Sequence, residues 1–123
     1  MKIPLLSDIL RNLFSKPATI EYPKVDIPAE EGYRGLHRVD AAKCISCRLC
    51  AMECPTGAIT MKKFPYKEKE IPVIDLSLCI FCYHCVYVCP VKAYVVSTNY
   101  HLSTGDKRTL ISEPIPPSTK KNN

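Results

Sequence analysis

The sequence predicts an α+β fold made of two like halves related by a pseudo-twofold axis, with an extended arm at each end. Three observations predict it. A pattern over residues 39–55 recurs over residues 74–90, all eight cysteines lie inside that pattern, and the flanks are proline-rich and only weakly periodic. With 123 residues and 46% apolar content the chain has the size of one folded domain, which excludes a large enzyme core. No stretch approaches the roughly 18–20 apolar residues that cross a bilayer. The opening Met1-Lys2-Ile3-Pro4 carries no hydrophobic signal core, so a reducing compartment is expected, with thiols available as ligands.

From the N-terminus, apolar residues at 5, 6, 9, 10, 13 and 14 predict an amphipathic helix over residues 4–14. About three turns are not stable alone in water, so the apolar face needs a cover: the protein's own core, a partner subunit or a membrane interface. Residues 15–33 contain Pro17, Pro23 and Pro28 and read as an extended strap, which makes residues 1–38 a helix plus docking arm. Residues 39–96 form the repeated domain. Each unit is expected to have a short strand ending at Val39-Asp40 or Ile74-Asp75, a loop, a brief helix, and a second strand over residues 58–61 or 93–96. Residues 62–72, charged and carrying two prolines, read as a solvated turn or ribbon without a function of its own. Residues 97–123 are a second extended arm, with the polar end at residues 118–123 expected to fray.

The cysteines carry the chemistry. The units read Cys44-Ile45-Ser46-Cys47-Arg48-Leu49-Cys50 then Cys54-Pro55, and Cys79-Ile80-Phe81-Cys82-Tyr83-His84-Cys85 then Cys89-Pro90. Two-residue gaps let a tight loop bring three sulfurs to one cluster-sized object while loop amides face it. The fourth cysteine lies on the departing helix and points to the other repeat, a crossing known for two-cluster ferredoxins. Cys44, Cys47, Cys50 and Cys89 are therefore expected to hold one 4Fe-4S cluster, and Cys79, Cys82, Cys85 and Cys54 the other, in a bacterial-type ferredoxin fold. Pro55 and Pro90 close the helices without leaving an unpaired amide. Ile45, Ile59, Ile80, Val86 and Val91 are expected to wrap the clusters and exclude water.

Structural zinc would use four ligands from two Cys-x2-Cys pairs and leave half of these cysteines unexplained. Disulfides require secretion and do not explain the spacing. The formal charge of +5 falls to about +1 once eight thiolates and two oxidised 2+ cores are included, which is weak ground for nucleic-acid binding. His37, His84 and His101 read as structural, with His84 the one placed to tune the second cluster. No catalytic site is visible, so any enzyme activity would belong to a larger oxidoreductase complex.

Phe14, the run Pro17-Ala18-Thr19-Ile20-Glu21-Tyr22-Pro23, Tyr33-Arg34-Gly35, both cysteine motifs and residues 98–104 (Thr98-Asn99-Tyr100-His101-Leu102-Ser103-Thr104) together resemble the two-cluster ferredoxin-like subunit of respiratory complex I and of membrane-bound energy-converting hydrogenases. The resemblance covers roughly residues 1–110. It implies a subunit on the cytoplasmic side of the cell membrane, peripheral and without a span of its own, that relays single electrons towards a neighbouring iron-sulfur, quinone-site or nickel-iron subunit. The short inter-repeat segment and reduced N-terminal region point to the hydrogenase-like branch. A free soluble ferredoxin is the alternative, and a zinc-stabilised binding module a remote one.

Overall fold

The computed structural model describes residues 4–117, so the expected fraying of residues 118–123 lies outside the described residues, as does the opening Met1-Lys2-Ile3. Each repeat folds into strand, loop, one-turn helix and strand. The first supplies β1 (His37–Val39), α2 (Leu49–Met52) and β2 (Ile59–Phe64), and the second supplies β3 (Lys67–Asp75), α3 (His84–Tyr87) and β4 (Tyr94–Val96), while the N-terminal arm forms α1 (Pro4–Leu13). The strands pair across the repeats. β1 runs antiparallel to β4 with Val39 opposite Tyr94, and β2 runs antiparallel to β3 with Ile59 opposite Ile74. Each sheet thus begins in one unit and ends in the other, which holds the two ligand loops side by side.

The second strand of the first repeat is longer than the expected residues 58–61. Residues 62–72 form a ribbon, as expected, made of the end of β2 and the start of β3, with a register shift near Phe64 and a turn at Pro65-Tyr66. Lys62, Lys63, Glu68 and Lys69 are exposed, so this outer end is solvated as the charge pattern predicts. Further in, Ile71 to Ile74 are all buried without alternation, because β3 is the central strand of the order β2-β3-β5, with β5 (Ile111–Ser112) on its other side.

β5 shows what the C-terminal arm does. It leaves β4, passes a 3-10 turn at Lys107–Leu110 that Asp106 caps through its carboxylate, and adds a third strand with Ile74 opposite Ser112. Ile115 then bridges to Asp40 in parallel register, its amide donating to the Val39 carbonyl at 2.7 Å. The arm is therefore fastened across the core rather than merely extended. Its strand is two residues long, too short for any periodicity to announce.

The core itself is small. It is centred on Val39, Ala41, Ile59, Ile71, Ile74, Leu76 and Ala93, and the third cysteine of each loop, Cys50 and Cys85, belongs to it at 8% exposure. α1 is not part of it. Leu5, Ile9, Leu13 and Phe14 are all more than half exposed, so of the three covers expected for this helix, the protein's own core is not the one found. The following strap has no regular element and is held at a few points, among them Tyr100 Oη donating to the Ile27 carbonyl at 2.6 Å and Tyr22 Oη hydrogen-bonded to His101 Nδ1 at 3.1 Å.

Gly35 sits where the two arms cross. Its amide donates to the Ser97 carbonyl at 3.1 Å and the next amide, of Leu36, donates to Asn99 at 2.8 Å. A Cβ on residue 35 would lie 2.7 Å from the Ser97 carbonyl oxygen and closer still to that of Asn99, both of them backbone atoms that cannot swing aside. Gly35→Ala is expected to destabilise the fold by about 2 kcal/mol, the usual scale of an overpacked contact, read as a lower thermal midpoint of the cluster-loaded protein. An unchanged midpoint would mean that the crossing of the arms is not under packing constraint.

Candidate metal centres

Both ligand loops start from the same local device. Asp40 Oδ1 accepts the amide of Ala42 at 2.9 Å, and Asp75 Oδ1 accepts the amide of Ser77 at 2.9 Å, so the matched aspartates turn the chain out of its strand and into its loop. Within the loops, positive φ recurs at equivalent places. Ser46 and Phe81 have φ of 62° and 53°, Arg48 and Tyr83 have 65° and 60°, and Gly57 and Lys92 have 65° and 48°. Non-glycine residues adopt this conformation at a cost of about 1 kcal/mol each. Finding it at the same positions of both repeats indicates that the loop is shaped for something, since alternating right- and left-handed residues turn successive amides into one concavity.

Two cavities of similar size result, about 350 and 320 Å³ with their open mouths included. Cys44, Cys47, Cys50 and Cys89 line the first, and Cys54, Cys79, Cys82 and Cys85 line the second. The sulfurs stand around a space. Among the described residues, no three His, Cys, Asp or Glu side chains converge on a position for a single ion. A mononuclear zinc site needs four ligands at about 2–2.3 Å from one point, whereas a polynuclear cluster needs sulfurs spread over its corners. The donor set is all thiol, and backbone amides already point at sulfur: Phe81 donates to Cys79 Sγ at 3.4 Å and Ala93 to Cys89 Sγ at 3.3 Å.

The expected apolar wrapping divides in two. Ile59 is buried, and Val86 and Val91 are half-buried. Ile45 and Ile80 instead remain 52% and 63% exposed while lining the two cavities, so they cover the mouths and do not belong to the interior. Each follows the first cysteine of its loop, where the chain is still at the surface.

Electrostatics favour a cationic guest. Burial pushes the Cys85 thiol up to about 12, with Cys79, Cys50 and Cys82 adding to the rise. Burial also raises Cys50, with Cys44 and Cys47 contributing, and raises Cys79, with Cys54 and Cys82 contributing. Cys54 goes the other way. Its burial would raise it, but the Thr56 hydroxyl and the amides of Thr56, Ala58 and Gly57 bring it below the ordinary thiol range. Thiolates so crowded require metal charge to remain ionised.

Several residues that hold the loops were not legible in advance. Lys67 Nζ donates to the Ala41 carbonyl at 2.5 Å and also to the Cys44 carbonyl, and Arg48 pairs with Glu70 at 2.5 Å. The charged hairpin expected to be without function therefore clamps the first loop. Arg34 Nη1 does the corresponding thing for the second loop, donating to the Cys82 carbonyl at 3.0 Å. Such cation-to-carbonyl contacts have no sequence signature, since their partners lie 23 to 48 residues apart.

The histidines also differ from expectation. His84, the one placed to tune a cluster, is half exposed with Nε2 3.5 Å from Glu53. His37 is the histidine at a centre: 1% exposed, lining the second cavity, with Nε2 4.0 Å from Cys79 Sγ. A signal was available, because His37 shares the inward phase of β1 with Val39. His101 lies far from both cavities, stacked on Tyr22 and 3.2 Å from Asp26. Tyr94 was missed as well. Its hydroxyl is buried, and burial together with Cys50 and Cys85, one from each set of four, raises its pKa.

Two four-thiol cavities on this mixed helix and strand scaffold mark a 4Fe-4S ferredoxin-type domain. Residues 43–93 match the 4Fe-4S dicluster domain family, and the cofactors are two 4Fe-4S clusters. More particularly, the chain is similar to subunit I of complex I-like oxidoreductases. It is 36% identical over 69 residues to NADH-quinone oxidoreductase subunit I 1 of Geobacter sulfurreducens, a match covering 50% of this chain and 52% of that one. It is 41% identical over 56 residues to F(420)H(2) dehydrogenase subunit I of Methanosarcina mazei, covering 46% and 32%. These matches span about half or less of the curated relatives' length. A solved structure of the membrane-bound sulfane sulfur reductase, an archaeal respiratory membrane complex, contains a chain 37% identical that superposes with a TM-score of 0.72, covering 95% of this chain and 65% of that chain.

Proposed function

We propose that the protein is an electron-relay subunit of a membrane-associated, complex I-like oxidoreductase, passing single electrons between two 4Fe-4S clusters. The cluster in the first cavity is held by Cys44, Cys47, Cys50 and Cys89, and the cluster in the second by Cys79, Cys82, Cys85 and Cys54. The observation that carries this assignment is the lining of each cavity by three cysteines of one repeat and one of the other. The two halves, residues 39–55 and 74–90 with their strands, are related by a pseudo-twofold axis, a reading supported by the recurrence of the positive-φ residues and helices in register.

When bound, each cluster takes up and releases one electron without making or breaking a bond to protein. The chain's part is to hold, shield and tune. Lys67 and Arg34 fix the two loops, Ile59 and Val91 exclude water, and the amides of Phe81 and Ala93 lower the negative charge felt at sulfur.

Residues 1–38 and 97–123 act as docking arms of the relay domain over residues 39–96. The exposed apolar face of α1 supports a subunit over a freely diffusing ferredoxin, since a soluble carrier does not keep five large apolar side chains in water on one short helix, with Phe14 just past its end. No helix among the described residues is long and apolar enough to cross a membrane. The association is peripheral, on the cytoplasmic side, through neighbouring subunits that include an iron-sulfur or nickel-iron protein of a hydrogenase or a sulfur-reducing complex.

Iron and acid-labile sulfide are expected at about eight each per chain, with the native protein eluting from detergent-solubilised membranes in a large assembly. Zinc in place of iron would remove the whole reading. Elution as a small soluble species would leave the clusters and replace the subunit with a free ferredoxin.

A further inference from the structure

We propose that His37 is a positioning residue that makes the two electron sites unequal: its Nε2–H donates to Cys79 Sγ and raises the reduction potential of the second cluster above that of the first. The inference rests on the proposed assignment of Cys79 to the second cluster.

The imidazole is 1% exposed, and its Nε2 lies 4.0 Å from Cys79 Sγ. Nδ1 is buried and has no hydrogen-bond partner. A neutral ring carries one proton; although the Gly35 backbone also approaches the ring, Nε2 faces Cys79 Sγ, whose negative charge in the ligating state would repel a bare nitrogen lone pair, so the proton is placed on Nε2. The ring cannot turn away. It is edge-on to Tyr83 at 5.1 Å and Phe81 at 5.8 Å, and its backbone is fixed by Ser112 Oγ, which donates to the His37 carbonyl at 3.0 Å.

The equivalent position of the other repeat decides the matter. Where His37 lines the second cavity, Pro72 lines the first, at the repeat offset of 35. Proline has no side-chain donor. The two sites match in cysteine spacing and in backbone shape, and they differ in side-chain donors to sulfur at this strand position and at Thr56, whose hydroxyl lies 3.6 Å from Cys54 Sγ where the other repeat has Val91; substituting His37 alone reads the histidine's share. A donor to sulfur stabilises the reduced state, in which the cluster and its thiolates carry one more negative charge. His37 therefore biases the shared electron towards the second cluster.

The test uses the cluster-loaded protein with His37→Phe and His37→Gln, titrated electrochemically while paramagnetic resonance follows each reduced cluster. The signals are assigned beforehand with Cys47→Ser for the first site and Cys82→Ser for the second. His37→Phe is expected to lower the second site's reduction equilibrium about tenfold, equivalent to about 59 mV for one electron, and to leave the first unchanged. His37→Gln, which keeps an N–H, is expected to recover part of the loss. An unchanged second potential in His37→Phe with full iron content overturns the proposal, as does an equal shift at both sites. A shift confined to the first site would instead overturn the assignment of Cys79 and spare the hydrogen bond. If His37→Phe does not retain clusters, the decisive measurement is pulsed resonance of 15N-histidine-labelled protein carrying His84→Gln: a histidine nitrogen coupled to the second reduced cluster supports the contact, and no coupling removes it.

Discussion

Replacing Cys89 with serine is expected to damage the cluster held by the first loop, although Cys89 belongs to the second repeat. Its sulfur lines the cavity of Cys44, Cys47 and Cys50, and its own loop's three sulfurs line the other. Serine offers a harder, poorly ionised oxygen in place of a thiolate, so the corner iron it serves is bound weakly. The expected result is loss of one iron from that site, giving a 3Fe cluster that is paramagnetic when oxidised, or loss of all four. The altered signal should coincide with the one that Cys47→Ser alters. Cys54→Ser should reproduce the effect at the other site, matching Cys82→Ser. If Cys89→Ser perturbs the Cys82 signal and spares that of Cys47, the crossed ligation is wrong and each loop must complete its own cluster.

Extraction of the clusters by a chelator with mild oxidation is expected to unfold the domain. The physical reason is the size of the core: among the described residues, the buried apolar ones besides the cysteines and Pro72 and Pro114 are Val39, Ala41, Ala58, Ile59, Ile71, Val73, Ile74, Leu76 and Ala93, three of them alanine. Burying a large aliphatic side chain contributes about 1.5–3 kcal/mol, while ordering each residue costs about 1.5 kcal/mol. So few side chains do not offset the ordering of a hundred-residue chain. Metal-sulfur bonds to the thiols of the two cavities would tie both loops to the segments around α2 and α3 and supply what the apolar core lacks, as structural metals do in other small domains. Loss of the cooperative thermal transition and of slowly exchanging amides in β2 and β3 would be the signature. A protein that keeps both without iron would show that its sheets carry the fold. Extraction should also consume protons at neutral pH, because thiols of the unfolded chain return to the ordinary range of about 8.5 and take up the protons that metal had displaced.

Local features were legible because they depend on spacing along the chain. The cysteine pattern set the kind and number of clusters, the matched Asp40 and Asp75 marked the loop entries, and the periodicity of Leu5 to Phe14 marked α1. The charged segment over residues 62–72 was legible as solvated but not as a clamp, since Lys67 and Glu70 look like any surface charges until the hairpin brings them onto the first loop. The C-terminal return as β5 was equally hidden, because two residues of strand carry no pattern.

By itself, then, the sequence determined the pattern of eight thiols, their grouping into repeated units and an apolar helix in need of a cover, because each follows from residue type and short-range interval. Only the tertiary structure decided that His37 and not His84 meets a ligand sulfur, that Tyr94 lies between the two sets of thiols, and that Gly35 must be glycine where the arms cross. Those are contacts between segments distant in the chain, whose geometry exists only after both sheets have paired across the repeats.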